Sequence, residues 1–153
     1  MKRFLFLGVV FCLTILTTPC FGQGFETSDL EGTWYAYFME ANPMAGTFWV
    51  YGSFTVDDDG DITGGTYKTA DGTTVNVTGG QASLDGDGLL TGTIESQGAG
   101  TTNIPSGKMD AGKTVISFVG ADTQNSMGLG IAIKGGKSFS TDDIEGTWYA
   151  YLM

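Results

Sequence analysis

The stretch TFWVYGSFTVDDDGDITGGTYKT, residues 47–69, decides the fold class of this chain. Apolar side chains recur with a period of two along its first half, at Phe48, Val50, Phe54 and Val56. That period is typical of a strand with one buried face. The acidic run Asp57–Gly60 is typical of a tight turn, and a second β-rich run, Ile62–Thr69, follows it. The stretch therefore predicts an antiparallel hairpin.

The same pattern continues to residue 134, with short turns rich in Asp and Gly between the apolar runs. In the last run, Met127, Leu129, Ile131 and Ile133 alternate with Gly128, Gly130, Ala132 and Lys134. We expect this strand to turn its aliphatic face inward. Strands are predicted near Thr33–Met39, Thr47–Val56, Ile62–Thr69, Thr73–Leu84, Leu89–Glu95, Thr101–Met109, Lys113–Val119 and Met127–Lys134.

Eight sequential strands with short links predict an all-β, antiparallel up-and-down meander that closes into a small barrel of about eight strands. Closure leaves no exposed sheet edge. A two-sheet β-sandwich is the alternative. The sixth strand is the weakest prediction, because Pro105 cannot donate to a strand ladder.

The N-terminus has the pattern of a secretory leader. Lys2 and Arg3 precede an apolar run of thirteen residues, 4–16, and a Pro-containing segment ends at Gly22. The run is shorter than the roughly 20 residues that a membrane-spanning helix needs. We therefore predict a signal peptide at 1–22, no transmembrane segment, and a secreted, periplasmic or cell-surface protein. Lipidation of Cys20 is the alternative to simple cleavage.

The composition excludes several kinds of site. The chain contains no histidine, and both cysteines, Cys12 and Cys20, lie in the predicted leader. A zinc site, a Cys/His dyad and a Ser/His/Asp triad are therefore not expected. After residue 22 there are five basic and 17 acidic residues, a formal net charge of −12, which disfavours nucleic acid as a partner. We expect no catalytic residues, no metal and no cofactor.

The chain repeats itself at an offset of 114 residues. FETSDLEGTWYAYFM at 25–39 and FSTDDIEGTWYAYLM at 139–153 match at 11 of 15 positions. This period fits one small domain. We predict a barrel domain at 23–138 and, at 139–153, the first strand of a truncated second repeat. A natural stop that leaves a spare strand is the alternative, and such a strand could displace its equivalent or pair with another molecule.

Two motifs have a structural and a functional interpretation. GKMDAGKT, residues 107–114, satisfies the phosphate-loop pattern, but a strand-like run rather than a helix follows it, so a hairpin turn is predicted. The acidic turns, with Asp57, Asp58, Asp59 and Asp61 and then Asp85 and Asp87, offer oxygen ligands for calcium. The alternative is that these carboxylates accept hydrogen bonds from their own backbone.

Aromatic side chains are the candidate ligand-binding residues. Tyr35 and Tyr37 share one face of the first strand, and Trp49 and Tyr51 share one face of the second. If the two strands pair, the four rings cluster. On the outside they would form a platform for a glycan or for a neighbouring domain; on the inside they would be core or would line a ligand cavity. Simple cross-strand packing is the alternative.

GTWY at 32–35, FTV at 54–56 and ITGGTY at 62–67 together resemble the first three strands of the avidin and streptavidin barrels. The Gly-x-Trp opening is also similar to that of lipocalins. The resemblance implies an eight-stranded barrel and matches Tyr67 to a ligand-contacting tyrosine of the avidins, with Thr69 in place of a serine. A ligand-binding asparagine of that family is replaced by Ala36. The repeat as a whole resembles tandem domains of exported bacterial proteins of uncharacterised function.

These observations favour a non-catalytic, exported or cell-surface β-domain, used in tandem as a structural or adhesive module. Its partners would be neighbouring repeat domains or cell-surface components. A small-ligand-binding barrel of avidin or lipocalin type, holding a small molecule or a glycan, is the alternative. The two differ in one observable feature, since a binding barrel contains an open cavity lined by Tyr or Trp and a structural module is filled.

Overall fold

The computed structural model describes residues 24–43, 46–122 and 126–136. The predicted leader and the second-repeat segment 139–153 lie outside the described residues. Eight antiparallel strands pair in sequence order, and the first also pairs with the last, which closes a barrel. This confirms the up-and-down barrel and excludes the sandwich. The strands are β1 (Gly32–Asn42), β2 (Gly46–Val56), β3 (Ile62–Thr69), β4 (Thr74–Leu84), β5 (Leu89–Ser96), β6 (Gly100–Met109), β7 (Val115–Asp122) and β8 (Met127–Lys134).

The two ends of the barrel differ. At the end called here the base, a short 3-10 helix, Thr27–Leu30, precedes β1 and lies beside β4. The Thr27 hydroxyl contacts the backbone of Leu84, and the Phe25 amide donates to the Gly86 carbonyl. The connections β2–β3, β4–β5 and β6–β7 also lie at the base. The opposite end, called the mouth, has the remaining hairpin connections.

The three base turns share one hydrogen-bond pattern. Each begins with an aspartate, Asp57, Asp85 or Asp110, whose carboxylate accepts backbone amides two and four residues later, at 2.7–3.2 Å. The predicted self-capping of the acidic turns is therefore confirmed for Asp57 and Asp85. GKMDAGKT is the β6–β7 hairpin, as predicted, because β7 follows it directly. Partial burial would raise the pKa of Asp110, but the amides of Val115, Thr114 and Gly112 outweigh it and hold that pKa below its usual value.

The core fills the lower part of the barrel. Trp34 is fully buried, and its indole Nε1 donates to the Leu30 carbonyl at 2.7 Å. Side chains from the other strands pack around it and leave a void of only about 20 Å³. The buried apolar residues are Leu30, Trp34, Val56, Ile62, Val77, Ala82, Leu84, Leu90, Ile104, Met109, Ile116, Phe118 and Ala132.

Pro105 lies within β6 without breaking the barrel. The pairing register of β6 shifts between Leu90 and Gly92 on the β5 side and between Asn103 and Ser106 on the β7 side. Pro105 falls in both irregular stretches and has an exposed side chain. A bulge at this position removes the need for a backbone donor, which explains why the strand tolerates proline.

The expected orientation of β8 is wrong. The period of two holds, but the aliphatic residues face outward: Met127, Leu129, Ile131 and Ile133 are 38–62% exposed. Ala132 is buried, and Gly128 and Gly130 face the barrel interior. Large rings from β1 and β7 occupy the space that inward aliphatic side chains would need. The small residues of β8 therefore form its inner face.

Candidate functional site

A cavity of about 300 Å³ occupies the upper half of the barrel interior. Strands β1 to β7 line it. Most of the lining residues point inward and lie between the packed base and the mouth. The volume lies at the lower end of the range for ligand pockets, roughly 300–1,000 Å³. The barrel is thus packed at one end and hollow at the other.

Two parallel phenylalanine rings form part of the cavity wall. Phe38 of β1 and Phe118 of β7 stack with centroids 5.8 Å apart and an interplanar angle of 2°. A Cβ at Gly120 or Gly128 would overlap the Phe38 ring, and one at Gly130 would overlap the Phe118 ring. The glycines of β7 and β8 therefore let both rings lie against that wall, and the empty volume remains on the side of β2 to β5.

The rest of the lining combines apolar side chains with one acidic residue and several hydroxyl-bearing residues, whose hydroxyls can donate as well as accept hydrogen bonds. Glu40 is the only charged residue among the described residues that line the cavity. The Thr69 hydroxyl lies 2.5 Å from the Asp71 carboxylate and 3.1 Å from the Thr73 carbonyl, and it can donate to either. The inward lining includes Phe48, Val50 and Phe54 of β2, Tyr67 and Thr69 of β3, Val75 and Val77 of β4, Ile94 and Ser96 of β5, and Thr102 of β6.

Asp71 belongs to the β3–β4 turn at the mouth. The Thr69 hydroxyl and the Thr73 amide both donate to its carboxylate and hold its pKa below the usual value. The carboxylate is therefore charged at neutral pH.

The structure separates the five predicted ligand-binding residues. Tyr67 lines the cavity. The other four lie on the outer surface of β1 and β2, where Tyr37 is 63% exposed. There the predicted cluster forms: Tyr51 stacks on Tyr37 with centroids 5.7 Å apart and on Trp49 with centroids 5.6 Å apart. Tyr35 continues the row towards the base, opposite Ile133 of β8.

Sequence reasoning did not identify most of the cavity residues. Phe48 and Phe54 were recognised as one face of a strand, but as core rather than as cavity wall. Glu40 carried no signal, because a single carboxylate in a strand has no motif. The available signal was the pair Gly128 and Gly130, since alternate glycines in a strand indicate that something approaches closely on that face.

The described residues do not form a metal site or a membrane-spanning helix. In the part of the chain that the structure describes, no three acidic side chains are placed to hold a metal ion. No described helix is long and apolar enough to cross a membrane.

No protein-family model matches the sequence, and no curated protein is significantly similar to it. Solved structures are similar in fold. The redesigned β-barrel mFAP1 bound to DFHBI matches with a TM-score of 0.57 and 15% identity, over 71% of this chain and 97% of the other. EF1p2_mFAP2b bound to DFHBI matches with a TM-score of 0.55 and 16% identity, over 74% of this chain and 97% of the other.

A third neighbour, a fluorescence-activating β-barrel of de novo design, matches with a TM-score of 0.50 and 13% identity, over 72% of this chain and 99% of the other. Identities this low concern the fold alone. The chain is an eight-stranded, closed antiparallel β-barrel whose structural neighbours are β-barrels.

Proposed function

We propose that this protein is an exported, non-catalytic barrel that binds a small, flat, largely apolar molecule in the cavity at its mouth. The observation that carries the proposal is the contrast between the ends of the barrel: a void of about 20 Å³ at the base and about 300 Å³ under the mouth. Interiors are normally close-packed, so a cavity of this size with an aromatic lining favours a ligand.

The lining indicates the chemistry of the ligand. Phe48, Phe54 and Tyr67 present ring surfaces, which favour one or two fused rings. Glu40 is the only charged residue in the described lining, so a cationic group on the ligand is favoured. An apolar amine combines both features.

Two further observations support binding rather than catalysis. The chain has no histidine, the commonest general base, and no cysteine after residue 20 that could act as a thiol nucleophile. The redesigned β-barrel mFAP1, which is similar in fold, has been solved with DFHBI bound.

Calorimetric titration with a matched pair of probes tests the proposal. 2-Naphthylmethylammonium should bind about 10-fold or more tightly than 2-naphthoate, because the two differ in the charge presented to Glu40. Glu40→Gln should reduce that difference. Val75→Trp, which fills the cavity, should abolish binding of both probes, whereas Asn103→Trp on the exposed surface of β6 should not.

Two results would contradict the proposal. One is that neither probe binds to a folded protein. The other is binding that survives Val75→Trp but is lost in Trp49→Ala, which would place the probe on the outer surface.

A second candidate function, a tandem structural or adhesive module at the cell surface, is favoured by the repeat at 139–153. Export is common to both candidates. Fractionation of the source cells with N-terminal sequencing of the recovered protein tests it. The expected result is a chain beginning near Gln23 outside the cytoplasm; a cytoplasmic chain that retains residues 1–22 would refute export.

A further inference from the structure

One side of the barrel exterior is apolar. Aromatic and aliphatic side chains project outward from three adjacent strands, β2, β1 and β8, and are 37–63% exposed. The pairing register places Tyr37 between Tyr51 and Ile131, and Met39 between Trp49 and Leu129. We call this surface the outer apolar face; it consists of Tyr35, Tyr37, Met39, Trp49, Tyr51, Met127, Leu129, Ile131 and Ile133.

The face is large for an unpartnered surface. Its four aromatic side chains, at about half exposure, present on the order of 400 Å² before the aliphatic side chains are counted. The largest apolar patch of a typical monomer is about 300–600 Å² in total. No charged residue belongs to the face. The outer surface of β4 to β6 differs, with exposed polar residues such as Asn76, Gln81 and Asn103.

The second-repeat segment indicates what covers the face. The outward residues Tyr35, Tyr37 and Met39 recur unchanged as Tyr149, Tyr151 and Met153. Of the inward residues, Trp34 and Ala36 also recur, and Phe38 is replaced by Leu152. Core positions usually restrict substitution more than solvated ones. The outward set is therefore retained at least as completely as the inward one, which a solvated face does not require; a second copy of the chain presents the matching surface.

We propose that the outer apolar face is the contact surface between two molecules of this protein. The contact is isologous, with the same face on both partners. Trp49 and Tyr37 lie near its centre and supply the aromatic anchors that dominate binding energy in such interfaces. The net charge of −12 after residue 22 opposes association elsewhere, so an uncharged face is the favourable place for two copies to meet.

Sedimentation velocity on residues 23–153 tests this surface. We expect a concentration-dependent dimer. Leu129→Glu and Tyr37→Glu should each raise the dimer dissociation constant by about 10-fold or more. Asn103→Glu, which adds the same charge on β6 outside the face, should change it by less than about twofold. Retained binding of 2-naphthylmethylammonium or an unchanged melting temperature establishes that each variant is folded.

Three results would overturn the proposal. One is a chain that stays monomeric at about millimolar concentration. Another is a dimer that tolerates both face variants but is lost in Trp148→Ala, which indicates strand exchange through the second-repeat segment. The third is a monomer whose tryptophan fluorescence changes on addition of soluble oligosaccharides in the parent but not in Trp49→Ala, which assigns the face to a glycan.

Discussion

Lys134, at the end of the last strand, lies over Trp34, near the start of the first, with its ammonium nitrogen 5.7 Å from the indole centroid. The same ammonium donates to the Asp29 carbonyl at 2.8 Å. Trp34 in turn donates to the Leu30 carbonyl. The two strands that close the barrel and the 3-10 helix beneath them are therefore joined at one point.

Replacing this lysine should weaken the barrel. Lys134→Met keeps the aliphatic stem but removes the cation–π contact and the hydrogen bond, and we expect a loss of about 1–2 kcal/mol in the free energy of unfolding. Urea denaturation measures it. Lys68→Met, on an exposed position of β3, is the control and should change stability by less than about 0.5 kcal/mol. Equal losses in the two variants would show that the contact contributes nothing.

Asp29 should make stability depend on pH. Partial burial would raise its pKa, but hydrogen bonds from the Lys113 ammonium, at 2.7 Å, and the Glu26 amide outweigh it and lower that pKa. A lowered folded-state pKa gives stability that is present above the unfolded value, about 3.9, and is lost as the pH falls through the folded value.

The matching experiment is thermal unfolding of Asp29→Asn between pH 7 and pH 2. The variant should melt lower than the parent at pH 7, by the equivalent of about 1 kcal/mol, and the difference should shrink towards zero below about pH 4. Asp58→Asn, on an exposed turn, should show no such difference. A gap for Asp29→Asn that stays constant down to pH 2 would contradict this account.

Two glycines with the same φ, Gly60 and Gly72, allow the cost of backbone strain to be distinguished from the cost of a steric overlap. Gly60 and Gly72 both have φ of +87°, so alanine costs about 1–2 kcal/mol at either site. A Cβ at Gly72 meets nothing within 4 Å, whereas one at Gly60 would overlap the Ala82 carbonyl and lie 2.7 Å from the Thr27 methyl. Gly60→Ala should therefore cost about 1–3 kcal/mol more than Gly72→Ala in chemical denaturation. Similar losses would show that the base relaxes around the added methyl.

The strand order was predictable because each hairpin is local. The alternation of apolar residues and the Asp–Gly turns located all eight strands. Eight sequential strands avoid an exposed sheet edge most simply by closing into a barrel. The orientation of β8 was not predictable in this way, because a period of two is symmetric. The side chains of Leu129 and Ile131 are as apolar as those of a buried strand face, so the sequence of β8 alone favours them as the inner face. The rings of Phe38 and Phe118, which come from other strands, fill the interior and leave room there only for Gly128 and Gly130.

Gly130→Ala tests that packing. Its methyl would overlap the Phe118 ring, so we expect a loss of about 1–3 kcal/mol in stability and weaker binding of 2-naphthylmethylammonium as the ring moves into the cavity. Gly130→Ala/Phe118→Leu should recover part of the lost stability, because the smaller side chain accepts the methyl. Additive losses in the double variant would contradict the contact.

The cavity was less predictable than the strands. The size of a cavity depends on the space that the barrel encloses and on the volume of the side chains that fill part of it. Neither quantity is encoded in a local sequence motif. The resemblance to the avidins indicates Tyr67, which lines the cavity. The alternation in β1 and β2 predicts the aromatic cluster, which the structure shows, but clustering alone does not distinguish the inside of a barrel from the outside.

The most direct test of the central claim is a crystal structure of the protein with 2-naphthylmethylammonium. The account predicts the ring between β2 and β5, against Phe48, Phe54 and Tyr67, with its ammonium group near Glu40 and Thr69. A probe bound only to the outer apolar face, or a cavity filled by its own side chains, would contradict it.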